Sequence, residues 1–170
     1  MRLYIIRHGD ADHETGKGDE YRTLSDAGDA QVQRLATCCN RLNISFDQVW
    51  SSNLLRAEET AERLAHYLDG TPPVLFNDCL IPPGDFNDLR GALRTSQKQS
   101  IAIVGHMPFL GECLQYWIGG NAHPGIELQS CSLVALDARG FNRHQMTLDF
   151  VINDFIASGV VNGATVPTGA

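Results

Sequence analysis

Apolar residues along the chain group into two kinds of segment: short runs of strand length, and longer stretches in which they recur at steps of three and four. The short runs predict strands over Arg2 to Arg7, Phe46 to Ser51, Pro73 to Phe76, Ser100 to Gly105, Ser132 to Asp137 and Gln145 to Val151. The first and fourth are apolar almost throughout, as strands covered on both faces must be, which places them side by side and parallel at the centre of a sheet. From Asp26 to Leu42, the residues Val32, Leu35, Ala36, Cys39 and Leu42 share one helical face, and Ser25 is a fitting N-cap. A second helix over Leu54 to Leu68 carries Ala57, Ala61, Leu64, Ala65 and Leu68 on one stripe, with Asn53 positioned to cap it. Further helices are predicted from Asp85 through Thr95 and from Pro108 through Ile118, the latter closed by Gly119 and Gly120. Strands alternating with helices over 170 residues indicate one three-layer α/β/α domain with a mainly parallel central sheet. It is expected to span residues 1–158, with a loosely ordered tail over 159–170.

Charge narrows the set of partners. The net charge of -7, with no run of Lys or Arg, argues against nucleic acid, because phosphate-backbone binding needs a basic stripe that displaces counterions. A phosphorylated substrate remains open, since a few arginines converging in a cleft outweigh the global field locally. At the amino terminus only Leu3 to Ile6 is apolar before Arg7, too short for an export signal or a membrane span, so a cytoplasmic protein without membrane contact is expected. Five scattered cysteines with no paired spacing indicate neither a zinc site nor a disulfide framework and are read as reduced, mostly buried thiols.

If the first and fourth strands are parallel neighbours, Arg7-His8 and Gly105-His106 emerge at the carboxyl edge of the sheet, where open α/β folds build ligand sites. The strand ending at Ser51 reaches the same edge and feeds the helix whose first turn holds Arg56. Two arginines suit a phosphoryl group, since a guanidinium stays protonated and donates parallel hydrogen bonds to two oxygens. A neutral imidazole is nucleophilic, so either His8 or His106 could attack phosphorus, the other stabilising the equatorial oxygens if protonated.

The segment LYIIRHGDA resembles the Arg-His-Gly signature of the histidine phosphatase superfamily, SSNLLRAEETA resembles its second-arginine helix, and VGHMP resembles its second-histidine segment. With the LSDAGDAQ and PPGD stretches, the similarity runs over residues 2 to 110. The resemblance implies a phosphoglycerate-mutase-like fold, with His8 as the phosphorylated nucleophile, Arg7 and Arg56 binding phosphate, and His106 completing the pocket. Short length and the RHGDA wording are most similar to SixA-type phosphohistidine phosphatases. In that type the resemblance implies Glu-Leu-x-Pro-x-Gly-Asp where this chain reads Cys79-Leu80-Ile81-Pro82-Pro83-Gly84-Asp85, so a cysteine replaces the glutamate. Asp85 and Asp78 are candidate replacement acids.

Three rivals follow from the same residues. His8, Asp10, Asp12 and His13 cluster after a strand in the manner of metal ligands, but a metal reading leaves Arg56 and His106 unexplained. A small-molecule phosphomonoesterase would use the same chemistry on an ester, and a phosphohistidine-binding adaptor would keep the pocket without turnover. The expectation is a metal-free, cofactor-free phosphatase, monomeric, acting on a phosphorylated histidine-carrying protein, with the small phosphate ester as second substrate class.

Overall fold

The computed structural model describes residues 1–13, 18–119 and 126–163. Six strands, β1 (Arg2–Arg7), β2 (Gln48–Ser51), β3 (Val74–Phe76), β4 (Ser100–Gly105), β5 (Leu133–Ala138) and β6 (Met146–Ile152), form one sheet in the order β3-β2-β4-β1-β5-β6. β1 to β4 run parallel, whereas β5 and β6 pair antiparallel. β1 and β4 are adjacent and central, as their continuous apolar runs require.

Period-two alternation in these strands divides the core into two layers. Tyr4 and Ile6 of β1, Ala102 and Val104 of β4, and Leu133 of β5 face helices α1 (Asp26–Arg41), α2 (Leu55–Tyr67) and α5 (Asp154–Val161). Leu3 and Ile5, Ile101 and Ile103, and Val134 face α3 (Phe86–Thr95) and α4 (Phe109–Ile118). Leu3, Ile5, Ile101 and Ile103 are fully buried, each side chain contributing roughly 1.5–3 kcal/mol by leaving water. All five cysteines are buried free thiols. No helix among the described residues is long and apolar enough to cross a membrane.

Two local expectations are corrected. Asn53 does not cap α2; its amide donates to the Asp78 carboxylate at 2.7 Å, and Leu54 is the N-cap residue. The expected tail begins inside α5, a helix capped by Asn153, which accepts from the Ile156 amide at 3.0 Å. Ala157 and Val160 of this helix pack into the first core layer, so Gly159 to Val161 are ordered by burial; residues 164–170 lie outside the described residues. Ser25 does cap α1, accepting from the Gly28 amide at 3.0 Å. Gly119 closes α4 as expected, while Gly120 lies outside the described residues.

Candidate active site

Register delivers the two histidines together. Arg7 pairs with Gly105 across β1 and β4, and the His8 amide donates to the Gly105 carbonyl at 3.0 Å, so His8 and His106 leave the sheet as neighbours. Their ring centroids stand 5.1 Å apart with planes inclined at 52°. That separation is close to the ~4.8 Å between adjacent strands, so the sheet itself sets the distance.

His8 Nδ1 lies 2.6 Å from the Gly9 carbonyl oxygen. A carbonyl only accepts, so Nδ1 carries the proton and donates, leaving the lone pair of the neutral ring on Nε2. Burial pushes the His8 pKa down to about 4; the Gly9 bond opposes the shift, and the charges of Arg56, Arg7 and Arg22 add to it. His106 is 2% exposed, and burial, then His8 and Arg56, push it down to about 3, with Asp19 opposing. Both rings are neutral near pH 7. The condition set for the second imidazole, that it be protonated, would be met at His106 only if an arriving anion raised its pKa.

The arginines close the pocket, Arg7 from β1 itself and Arg56 from α2. Arg7, the last residue of β1, donates from Nη1 to the Leu128 carbonyl at 2.6 Å. Arg56, 5% exposed in the first turn of α2, donates from Nη1 to the Asp19 carbonyl at 2.8 Å and from Nη2 to the Asp19 carboxylate at 2.9 Å. Arg7 Nε, Arg56 Nε and both nitrogens of His106 are buried without a hydrogen-bond partner among the described residues. Native proteins rarely leave such atoms unpaired, and all four belong to residues gathered at one sheet edge, where N–H donors suit an anion.

The structure thus brings together Arg7, His8, Arg56 and His106. It gives Asp85 and Asp78 other work: Asp85 caps α3, accepting from the Asn87 and Asp88 amides at 2.9 and 3.0 Å, and Asp78 accepts from Asn53. Cys79 is buried in the second core layer and burial pushes its thiol up to about 11, so it is a packing residue rather than a thiolate. Asp10 and Asp12 accept from the hydroxyls of Ser25 and Thr23, at 2.7 and 3.1 Å, tying the loop after β1 to the start of α1.

Two residues of the site are not apparent from sequence. Asp19 sits on the fork of Arg56 and also takes Arg22 at 3.1 Å; those guanidinium groups, Arg22 first, hold its carboxyl below the usual range. Thr60, fully buried, accepts from the Gly9 amide at 3.0 Å and donates to the Arg56 carbonyl at 2.6 Å, joining the loop that carries His8 to the helix that carries Arg56. A hydroxyl on the apolar stripe of α2, between Ala57 and Ala61, was the available signal.

A family model for the histidine phosphatase superfamily (branch 1) matches residues 3–81, which hold Arg7, His8 and Arg56. An uncharacterized protein of Picosynechococcus sp. is 30% identical over 140 residues, covering 80% of this chain and 84% of its own. The chain belongs to the histidine phosphatase superfamily. Among superfamily relatives, the phosphohistidine phosphatase SixA of Escherichia coli is 25% identical over 143 residues, 82% of this chain and 88% of that protein. The solved structure of the protein histidine phosphatase SixA complexed with tungstate aligns at a TM-score of 0.80 and 22% identity, covering 91% of this chain and 98% of that one. An alpha-ribazole phosphatase from Shigella flexneri shares the fold at a TM-score of 0.70 and 23% identity, with 91% and 97% coverage. The superfamily fold therefore accommodates more than one kind of leaving group, and the substrate has to be argued from this site.

Proposed function

We propose that this chain is a phosphohistidine phosphatase that transfers a phosphoryl group from a histidine of another protein to His8 and then to water. The observation that carries the reading is the Nδ1 to Gly9 hydrogen bond, which presents a neutral, unprotonated Nε2 as nucleophile beside Arg7, Arg56 and His106. In the first step Nε2 of His8 bonds to phosphorus while the bond from phosphorus to the substrate imidazole breaks. An imidazole that carries a proton on its other nitrogen takes the electron pair and leaves neutral, so no carboxylate acid is required. The arginines hold the phosphoryl oxygens, and the Gly9 carbonyl stabilises the proton on the phosphorylated ring. In the second step water bonds to phosphorus, the bond to Nε2 breaks, a proton passes to solvent, and inorganic phosphate departs.

The engagement of Asp78 and Asp85 elsewhere supports an imidazole leaving group over an alkoxide, which needs an acid. The deciding experiment compares kcat/KM on a phosphohistidine-carrying protein and on small alkyl phosphate esters, with acid-labile phosphate trapped on the enzyme. A preference for the protein and loss of trapping in His8→Ala are expected; a preference for alkyl esters would overturn the assignment.

A further inference from the structure

We infer that a hollow beside His106 is the docking subsite for a positively charged stretch of the polypeptide that bears the phosphohistidine, an inference that rests on the substrate proposed above. The hollow measures about 590 Å³. Met107 and Pro108 form one wall, following His106 directly and leading into α4. Ile126 and Glu127 form the other and run straight into Leu128, whose carbonyl anchors Arg7. One wall is thus covalently continuous with His106, and the other is tied to Arg7 by a hydrogen bond. Gly111 lets the walls close: a Cβ there would press on the Ile126 carbonyl and stand 2.8 Å from Met107 Cε.

Its chemistry is opposite to that of the phosphate pocket. Met107, Pro108 and Ile126 are apolar, and the charged residues lining it, among the described residues, are Glu112 and Glu127, both exposed. Arg143 belongs to an adjoining hollow with Gln115 and Tyr116, on the other side of Glu112. A lysine or arginine fits such a place, its methylene stem against the apolar wall and its cation at the carboxylates. A small metabolite with a second anionic group would meet two charges of its own sign. The arginines recognise the phosphoryl group, while the hollow selects the chain that carries it.

The test uses one histidine peptide, phosphorylated on the ring, with lysines, alanines or glutamates flanking the histidine. At low salt, kcat/KM is expected to fall from lysine to alanine to glutamate flanks, by about tenfold overall, and the order to reverse in Glu112→Lys/Glu127→Lys. Flank-independent rates, or an unchanged order in the double variant, would overturn the subsite. If aryl phosphate is hydrolysed and none of the phosphopeptides is, the substrate reading fails while the subsite is still judged, by inhibition of aryl phosphate hydrolysis with the unphosphorylated lysine-flanked peptide. Inhibition lost in the double variant supports the subsite; no inhibition of the wild type overturns it.

Discussion

Replacing Thr60 with valine removes one oxygen from the join between the two halves of the candidate site while keeping the side chain's shape. The wild-type hydroxyl is fully buried and accepts from the Gly9 amide at 3.0 Å. Valine leaves that amide buried with no partner, a loss worth about 1–3 kcal/mol, which in a chain of this size shifts Tm by about 2–4 °C for each kcal/mol. Gly9 also holds His8 Nδ1 through its carbonyl, so the loss reaches the nucleophile: a ring freed to swing or change tautomer no longer aims Nε2 at phosphorus. Turnover is expected to slow by about one to two orders of magnitude, as small misplacements of reacting groups do, with little change in KM. Urea denaturation gives the stability loss, and steady-state hydrolysis of an aryl phosphate gives the catalytic one. Thr60→Ser restores the oxygen and forfeits about 0.8 kcal/mol of methyl burial, so it should recover activity without recovering full stability. Should T60V turn over within about twofold of the wild type and lose less than about 0.5 kcal/mol in stability, the link from Thr60 through Gly9 to His8 is refuted.

Three further outcomes are expected. Because His8 is held near a pKa of about 4, the acid limb of kcat/KM attributable to the free enzyme should lie near pH 4; a limb at about 6.5 would place the ring in a solvated setting. Both histidines have folded pKa values below the unfolded 6.5, so the unfolded chain binds more protons below that pH: stability is fully present above pH 6.5 and falls as pH drops toward about 4. Denaturation midpoints at neutral and at mildly acidic pH measure this, and His106→Gln should flatten the slope. Gly28→Ala should destabilise by about 1–3 kcal/mol and lower activity, since its Cβ would be driven against the Asp10 carbonyl of the loop after β1; thermal unfolding at wild-type Tm would contradict this.

The parts of the fold that can be read along the chain are those where a local pattern and tertiary packing agree. β1 and β4 end where their apolar runs end, and Ser25 caps α1, because burial on both faces and a free hydroxyl before a helix leave little alternative. Asn53 has the local look of a cap on the same grounds, but the helix begins at Leu55 with Leu54 in the cap position, and the Asn53 side chain turns to a long-range partner, Asp78. α5 is hidden because DFIASGVV is short, apolar on most sides and contains glycine, so no helical stripe stands out until α1 covers it. The four candidate-site residues are legible since each lies at a strand end or helix start. Asp19 is not, because a carboxylate in a single three-residue 3-10 turn, Asp19–Tyr21, carries no periodicity, and its partner Arg56 lies 37 residues away.

The pairing of Asp19 with Arg56 changes what it means for phosphate to enter. The guanidinium is already paired with a carboxylate whose side chain is 61% exposed, so a phosphoryl group arriving there would exchange with a resident anion and would not fall into an unscreened positive well. The carboxylate is the solvent-exposed partner and the guanidinium the buried one, so in such an exchange Asp19 would be the group that moves aside and Arg56 the one that stays. On the proposed function, a dianionic phosphoryl group would displace the carboxylate more readily than a monoanion would, and inorganic phosphate, once formed, would be released against a competitor tethered to the same chain. On the proposed function, product release would thereby be assisted by a side chain that takes no part in bond making.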